Sequence, residues 1–169
     1  MDRSAVMDDD AHARFQALFE AHRGIVLKIA SSYAWNADDR ADLAQEIGMQ
    51  LWRAFPGYDD SRSFSTWMYR VALNVAISSL RSESARRRRT VPLDERHDLG
   101  DPQSADPDAS QRVRALETFL QKEHPLDRAL LVLYLEERSH KDIAEILGIS
   151  ETNVATKIGR LKQRMRDEV

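Results

Sequence analysis

The chain has 169 residues, of which 42% are hydrophobic and 31% charged, and its formal net charge is -3. This length fits one ordinary domain or two small ones and excludes a large multidomain enzyme, while the hydrophobic fraction is sufficient for a core. Cysteine is absent, which excludes disulfides, thiolate zinc sites and cysteine nucleophiles.

Apolar residues in the first third of the chain recur at helical spacing. Between residues 12 and 34 the steps of three and four predict one helix or two nearly continuous ones, with Gly24 as the expected break. Asp38 or Asp39 is expected to cap the next helix, which ends at the Pro-Gly pair of residues 56–57. The expected inner stripe of this second helix is Leu43, Ile47, Leu51 and Phe55.

A third helix is expected after a loop over residues 56–63. Ser65 or Thr66 is the expected N-cap, and the helix runs into the four arginines of residues 86–89. The side chains expected to be buried are Trp67, Val71, Ala72, Val75 and Leu80. Those expected to face outward are Arg70, Asn74 and Arg81.

Charge and composition divide the chain near its middle. Residues 61–90 carry seven basic and one acidic group, which suggests contact with a polyanion, although a solvated arginine-rich helix is the alternative. Residues 91–110 carry six acidic and one basic group with few apolar side chains, which is linker composition. We therefore expect an all-α fold with two helical domains, residues 10–90 and 111–169, joined by a flexible acidic linker over residues 91–110.

Residues 139–165 have the pattern of a helix-turn-helix. Ser139 with Asp142 forms a capping box, Gly148 supplies the turn, and Ser150 caps the second helix. The second helix has an inner stripe at steps of four, three and four: Val154, Ile158, Leu161 and Met165.

The opposite face of that second helix is polar. It offers short polar groups near the helix N-terminus and longer cations behind them, as a helix that reads the DNA major groove requires. These residues are Thr152, Asn153, Thr156, Lys157 and Arg160. The alternative is an ordinary helical hairpin with a polar face.

Several strings in the first half of the chain carry a family resemblance. Residues 42–47 (DLAQEI), 52–55 (WRAF), 58–59 (YD) and 62–74 (RSFSTWMYRVALN) resemble the second region of extracytoplasmic-function (ECF) RNA polymerase sigma factors. The C-terminal module resembles their fourth region. Together the two matches cover most of residues 12–167 in the right order, and the acidic linker lies between them.

The resemblance implies a surface for core RNA polymerase on the helix expected over residues 39–55. In the family this face docks on the clamp helices of the largest polymerase subunit. The residues of this chain on that face are Asp42, Gln45, Glu46, Met49, Gln50 and Arg53. A solvated amphipathic helix is the alternative interpretation of the same pattern.

The resemblance also implies two promoter contacts. The loop over residues 57–63 and the helix after it are expected to hold a flipped base and adjoining DNA of the minus-ten element, and residues 86–89 to pair with phosphates. The implied minus-ten residues are Tyr58, Arg62, Ser63, Arg70, Asn74 and Arg81. The polar face with Thr152, Asn153, Thr156, Lys157 and Arg160 is implied to bind the minus-35 element, whereas Phe64 and Trp67 are expected to be packing residues.

The expected function is therefore non-enzymatic promoter recognition with core RNA polymerase, promoter DNA and a candidate anti-sigma factor as partners. No cofactor, metal site or small-molecule substrate is expected, because the five histidines are scattered and no phosphate loop or nucleophile-base pair occurs. Membrane insertion is not expected either, since no apolar stretch approaches roughly 20 residues, so a cytoplasmic protein is predicted. Two alternatives are a sigma-like mimic that binds an anti-sigma factor without DNA and a plain helix-turn-helix regulator.

Overall fold

The computed structural model describes residues 3–89 and 107–168, and within these ranges the chain is all-α, as the periodicity predicts. A short 3-10 turn, Phe55–Gly57, follows the second helix. We call the first three helices the N-terminal helices and the other four the C-terminal helices. The helices in chain order are α1 (Arg3–Tyr33), α2 (Ala37–Ala54), α3 (Phe64–Arg89), α4 (Pro107–Lys122), α5 (Pro125–Leu135), α6 (His140–Leu147) and α7 (Glu151–Glu168).

Helix α1 is continuous through Gly24, so the break expected there is wrong. Gly24 is exposed, and a side chain at this position would meet no neighbouring atom. On either side of it, Phe15 and Val26 are buried against the rest of the protein. Tertiary packing of both flanks outweighs the roughly 1 kcal/mol that glycine costs inside a helix.

Helix α2 begins two or three residues earlier than the sequence indicated. Its N-cap is Asn36, whose side-chain oxygen accepts a hydrogen bond from the Asp39 backbone N–H at 2.8 Å, so the expected cap at Asp38 or Asp39 is wrong. Both aspartates instead lie in the first turn, where the helix dipole favours negative charge. The expected stripe holds, because Leu43, Ile47 and Leu51 are buried.

Helix α3 begins at Phe64, and the Ser63 hydroxyl accepts a hydrogen bond from the Thr66 N–H at 3.5 Å, so neither expected cap residue serves. Its buried side chains are Phe64, Met68, Tyr69, Ala72, Leu73 and Ala76. Four residues expected in the core lie half-buried on the flank: Trp67, Val71, Val75 and Leu80. The stripe is broader than predicted because α3 packs against α1 and α2 on one side and against α5 and α6 on the other.

The C-terminal helices contain the expected helix-turn-helix. The Ser139 hydroxyl accepts from the Asp142 N–H and the Ser150 hydroxyl from the Asn153 N–H, both at 3.1 Å. Gly148 has φ of +70°, the left-handed conformation that the turn requires. The inner stripe of α7 is buried at Val154, Ile158 and Leu161, with Met165 half-buried beyond them.

Of the linker expected over residues 91–110, only the last four residues are among those that the structure describes. Helix α4 begins at Pro107, so residues 107–110 are helical, and residues 91–106 lie outside the described residues. The N-terminal and C-terminal helices share one hydrophobic core, in which Ile29 and Met68 belong to the same cluster as Leu130, Leu133 and Ile143. The two groups therefore pack directly on each other.

Two glycines of the helix-turn-helix provide a matched test of this geometry. Gly159→Ala is expected to stabilise the protein by about 1 kcal/mol, because the position is exposed, mid-helical and free of neighbours. Gly148→Ala is expected to destabilise it by about 1 kcal/mol, because its positive φ is costly for alanine. Thermal unfolding should show Tm shifts of roughly 2–4 °C in opposite directions. Shifts of the same sign would contradict the backbone assignment.

Candidate functional site

The outer face of α2 is exposed and chemically mixed. Its acids lie towards the helix N-terminus and Arg53 lies in the last turn, an order that the helix dipole favours. Asp42, Gln45, Glu46, Met49 and Arg53 are exposed and Gln50 is half-buried. The structure thus brings the six residues of the expected polymerase surface onto one helix face.

Sequence reasoning missed one large side chain of this face. Trp52 is 36% exposed and lies three residues after Met49, which is 48% exposed. The ring of His12 meets Trp52 edge-on with centroids 5.2 Å apart, and Phe15 lies at 5.2 Å on the same indole. The i, i+3 spacing of Met49 and Trp52 is the sequence signal from which this position of the indole could have been predicted. An acidic and an apolar patch therefore adjoin each other.

The loop between α2 and α3 is closed by its own hydrogen bonds. The Tyr58 hydroxyl donates to the Arg62 carbonyl at 2.7 Å, and the Arg62 N–H donates to the Asp59 carbonyl at 3.0 Å. The Ser61 N–H donates to the Asp59 carboxylate at 3.0 Å, a bond that lowers the pKa of Asp59 below its ordinary value. These three hydrogen bonds hold the loop in a defined shape.

The ring of Tyr58 is half-buried in an aromatic cluster. Its centroid lies 5.9 Å from that of Phe55, 5.4 Å from Phe64 and 5.2 Å from Trp67. Phe64 is buried and Trp67 half-buried, so both are packing residues, as their spacing predicts. Only part of the Tyr58 ring remains available to a ligand.

Helix α1 also contacts this loop, through a residue that sequence reasoning missed. Arg14 forms an ion pair with Asp60, and its guanidinium carbon lies 5.7 Å from the centroid of the Phe55 ring. Both charged side chains are exposed, so the pair contributes little to stability. Its effect is local, because it offsets one of the two negative charges in this loop.

The polar residues expected on the loop and on α3 are exposed. Arg70 and Asn74 are one helical turn apart, and Arg81 lies two turns further along the same side. Exposed members of the expected minus-ten set are Arg62, Ser63, Arg70, Asn74 and Arg81. Helix α3 continues through residues 86–89, whose side chains lie outside the described ones.

The outward face of α7 is exposed except at Lys157. Exposed members of the expected minus-35 set are Thr152, Asn153, Thr156 and Arg160. Lys157 is half-buried, with its Nζ 3.9 Å from the Asp127 carboxylate of α5. The Thr156 hydroxyl donates to the Thr152 carbonyl at 3.0 Å, so that proton is already engaged. Thr152, Asn153 and Arg160 are therefore more available on this face than Thr156 and Lys157.

The described residues contain no helix that is long and apolar enough to span a membrane. Within the same ranges, no group of three or more His, Asp or Glu side chains is arranged to hold a metal ion.

Two family comparisons match separate parts of the chain. Residues 18–86 match Sigma-70 region 2, and residues 114–165 match Sigma-70 region 4. Together these ranges cover well over half of the chain. The first range contains α2, the loop after it and most of α3. The second range contains the helix-turn-helix.

Individual relatives agree with these matches. The chain is 28% identical over 166 residues to the ECF RNA polymerase sigma factor SigE of Mycolicibacterium smegmatis, covering 96% of this chain and 64% of that protein. It is 27% identical over 172 residues to the ECF RNA polymerase sigma factor SigW of Bacillus subtilis, covering 96% and 90%. The chain thus spans less than two thirds of the first relative and most of the second.

Two solved structures share the fold. One is CnrH in complex with the cytosolic domain of CnrY, with a TM-score of 0.68, 20% identity, and coverage of 98% of this chain and 96% of that one. The other is the sigma factor RpoE in complex with the anti-sigma factor NepR from Bartonella quintana, with a TM-score of 0.68, 15% identity and coverage of 94% and 95%. With both sigma regions matched in order along one all-α chain, the protein belongs to the sigma-70 family as an ECF RNA polymerase sigma factor.

Proposed function

We propose that this chain is a promoter-specificity subunit that binds core RNA polymerase, recognises the minus-35 element and melts and recognises the minus-ten element. The observation that carries the proposal is the set of three exposed faces, on α2, on the loop with α3, and on α7, within the two matched sigma regions. Each face has a different chemistry, and each suits one of these partners. Residues 10–90 and 111–169 are the proposed domains.

The face of α2 suits a protein partner. The carboxylates of Asp42 and Glu46 favour a basic partner surface and speed the encounter with it. Met49 and Trp52 supply exposed apolar area whose burial on binding is favourable. DNA is a poor partner for this face because its phosphates would meet the two carboxylates. We therefore propose that α2 binds core polymerase.

The loop and α3 suit partly single-stranded DNA. Arg62 and Arg70 are exposed cations that can pair with phosphates, and Asn74 can hydrogen-bond a base edge. Unpairing a base costs a few kcal/mol, and a loop whose shape is held by its own hydrogen bonds adds little ordering cost to the capture of one. On this proposal, melting is driven by trapping unpaired bases of the minus-ten element.

Tyr58 is proposed to act mainly by positioning this loop. Tyr58→Phe retains the ring contacts but removes the bond to the Arg62 carbonyl, so stability should fall by only about 1 kcal/mol. Binding to a single-stranded minus-ten oligonucleotide should fall about three- to tenfold, because the loop must then be ordered on binding. Fluorescence anisotropy measures that affinity. An unchanged affinity would contradict the positioning role.

The outward face of α7 is proposed to read the minus-35 element in the major groove. Asn153 lies in the first turn of the helix and can reach base edges, whereas Arg160 lies two turns further along and can reach phosphate. Lys157 can leave its long contact to Asp127 at little cost, because their nitrogen and oxygen are 3.9 Å apart.

The proposed role involves no bond chemistry, and we propose that it is carried out in the cytoplasm, where chromosome and polymerase are found. An anti-sigma factor is a further proposed partner, because RpoE, which shares this fold, was solved in complex with one. The chain would then be held inactive by occupation of one or more of the three faces.

Titration of purified core polymerase with the fluorescently labelled full chain tests this proposal. We expect saturable binding of one chain per core enzyme, with a Kd below about 1 μM. A plain helix-turn-helix regulator would bind duplex DNA but not core polymerase. A sigma-like mimic would bind an anti-sigma protein and neither of the other two. Absence of core binding by the folded chain would overturn the proposal.

A further inference from the structure

An exposed guanidinium of α1 lies against the loop between α2 and α3. Arg14 forms an ion pair with Asp60 of this loop, and its guanidinium carbon lies 5.7 Å from the centroid of the Phe55 ring. The Phe55 ring is stacked on that of Tyr58, with centroids 5.9 Å apart and an angle of 18° between the planes. Two contacts of different kinds, one to an anion and one to a ring, therefore hold this cation beside the loop.

Arg14 lies at the edge of the loop that is away from α3. Its neighbour Phe15 contacts the ring of Phe55, just before the loop, with centroids 5.2 Å apart. Seven residues later on α1, His22 contacts Phe64, the first residue of α3, also at 5.2 Å. At 1.5 Å per residue, Arg14 and His22 are about 12 Å apart along α1. The loop therefore lies between Arg14 on one side and the start of α3 on the other.

This position continues the path proposed for DNA along α3. Arg70, Asn74 and Arg81 extend away from the loop along that helix. A single strand that follows them and places one base in the loop leaves the loop on the side of Arg14. At 3.4 Å or more per nucleotide, about 12 Å corresponds to at most about four nucleotides. The guanidinium is therefore within reach of the strand just beyond the captured base.

The charge of the loop requires a cation at this place. Residues 58–63 contain two acids, Asp59 and Asp60, and one base, Arg62, so the loop itself has a net charge of -1. Arg14 brings the total to zero. A phosphate that approaches the loop from this side meets the carboxylate of Asp60, which repels it unless a cation pairs with the phosphate.

The ion pair between Arg14 and Asp60 can be exchanged at little cost. The two side chains are 51% and 65% exposed, and exposed pairs contribute little because water and salt screen them. A guanidinium has five N–H donors in a planar fork, which fits two phosphate oxygens as well as two carboxylate oxygens. The contact with the Phe55 ring does not involve Asp60, so it keeps the guanidinium at the loop when Asp60 is released.

We propose that Arg14 is a DNA-binding residue of the minus-ten surface, which releases Asp60 and pairs with a backbone phosphate of the single strand just beyond the captured base. In the free protein Asp60 occupies the position of that phosphate, and it competes with DNA for the guanidinium. The assignment rests on the proposed function, because it takes the loop as the site of base capture. It extends the minus-ten surface from α3 across the loop to α1.

A ladder of single-stranded probes tests this contact. Each fluorescein-labelled probe carries the nontemplate minus-ten sequence recovered from a promoter library, and the probes are shortened one nucleotide at a time from the downstream end. Anisotropy titrations with the full chain over a salt series give the affinity and the slope of log K against log salt. Arg14→Gln should weaken the longest probe about three- to tenfold and reduce its slope by about 0.7. The effect should disappear once the last four or so nucleotides beyond the captured base are removed.

Two further variants are matched to this one. Arg14→Lys keeps the positive charge and should retain the salt slope of the parent. Arg23→Gln removes the same charge from an exposed position of α1, nine residues and about two and a half turns later, on the opposite side of the helix. This control should bind every probe like the parent. Since these side chains are exposed, all three variants should fold.

Asp60→Asn separates phosphate pairing from neutralisation of the loop. This variant should bind the longest probe about two- to fivefold more tightly, because the carboxylate no longer competes for Arg14. With no charge left at residue 60, the addition of Arg14→Gln measures the cation alone. We expect the same three- to tenfold loss and the same fall in salt slope in this double variant.

Three results would overturn the proposal. If Arg14→Gln had no effect in the Asp60→Asn background, Arg14 would act only by neutralising Asp60. If every probe were weakened equally, Arg14 would act on the shape of the loop and not on a phosphate beyond it. If the folded parent bound none of the probes, base capture in the proposed function would fail and this assignment with it, whereas the first two results leave base capture intact.

Discussion

Charge reversal at Asp42 and Glu46 is expected to weaken binding to core polymerase about 100-fold, or roughly 2–3 kcal/mol, while the fold survives. Both side chains are exposed on α2, opposite the buried Leu43, Ile47 and Leu51, so Asp42→Lys with Glu46→Lys opens no cavity. The unfolding free energy should change by less than about 0.5 kcal/mol. Titration of core enzyme with the labelled double variant measures the effect.

A matched variant separates the position of the charges from the change in net charge. Glu20→Lys with Glu168→Lys alters two exposed acids on α1 and α7 and changes the net charge by the same amount. This control should bind core enzyme like the parent. Equal loss of affinity in the two double variants would show that general electrostatics, and not the face of α2, determines binding.

Substitutions on α7 are expected to separate sequence reading from phosphate binding. Asn153→Ala should remove discrimination at one base pair of the minus-35 element, at a cost of about 1–3 kcal/mol for the preferred sequence only. Arg160→Ala should weaken all duplexes alike and reduce the slope of log K against log salt by about 1. Both side chains are exposed, so the fold should be retained. Selection from a randomised duplex library, followed by a salt series, measures both effects.

Gln163→Ala provides the control on the same helix. Gln163 is exposed but lies ten residues, about 15 Å, beyond Asn153, and it is engaged with Asp167. Neither the preferred minus-35 sequence nor the slope of log K against log salt should change in this variant. An unchanged preferred motif in Asn153→Ala would contradict the assignment of that residue as a reader of base edges.

Features that depend on neighbours in sequence were predictable. The helix-turn-helix follows from Ser139, Gly148 and Ser150, each of which acts on backbone groups within a few residues. The stripe of α2 follows from its period alone, because α2 buries only one side. Its cap was misplaced because Asn36, Asp38 and Asp39 are all good cap residues, and only the backbone path into the helix selects among them.

Features that depend on distant partners were not predictable. The buried stripe of α3 was misjudged because α5 and α6 cover a second side of that helix. The polar face of α7 was found by subtraction from its stripe, whereas the polymerase and minus-ten residues came from the family resemblance. That resemblance did not show that the ring of Tyr58 is packed between Phe55, Phe64 and Trp67. Arg128 meets Tyr33 across almost a hundred residues, and no local pattern encodes that contact.

On the proposed function, this chain directs core polymerase to promoters with two elements. Run-off transcription with purified core enzyme, the full chain and a promoter library measures this most directly. We expect transcripts of defined length only when the chain is present, from templates that share a minus-35 and a minus-ten motif at fixed spacing. Transcription no different from core enzyme alone, with a folded chain that binds core polymerase, would contradict it.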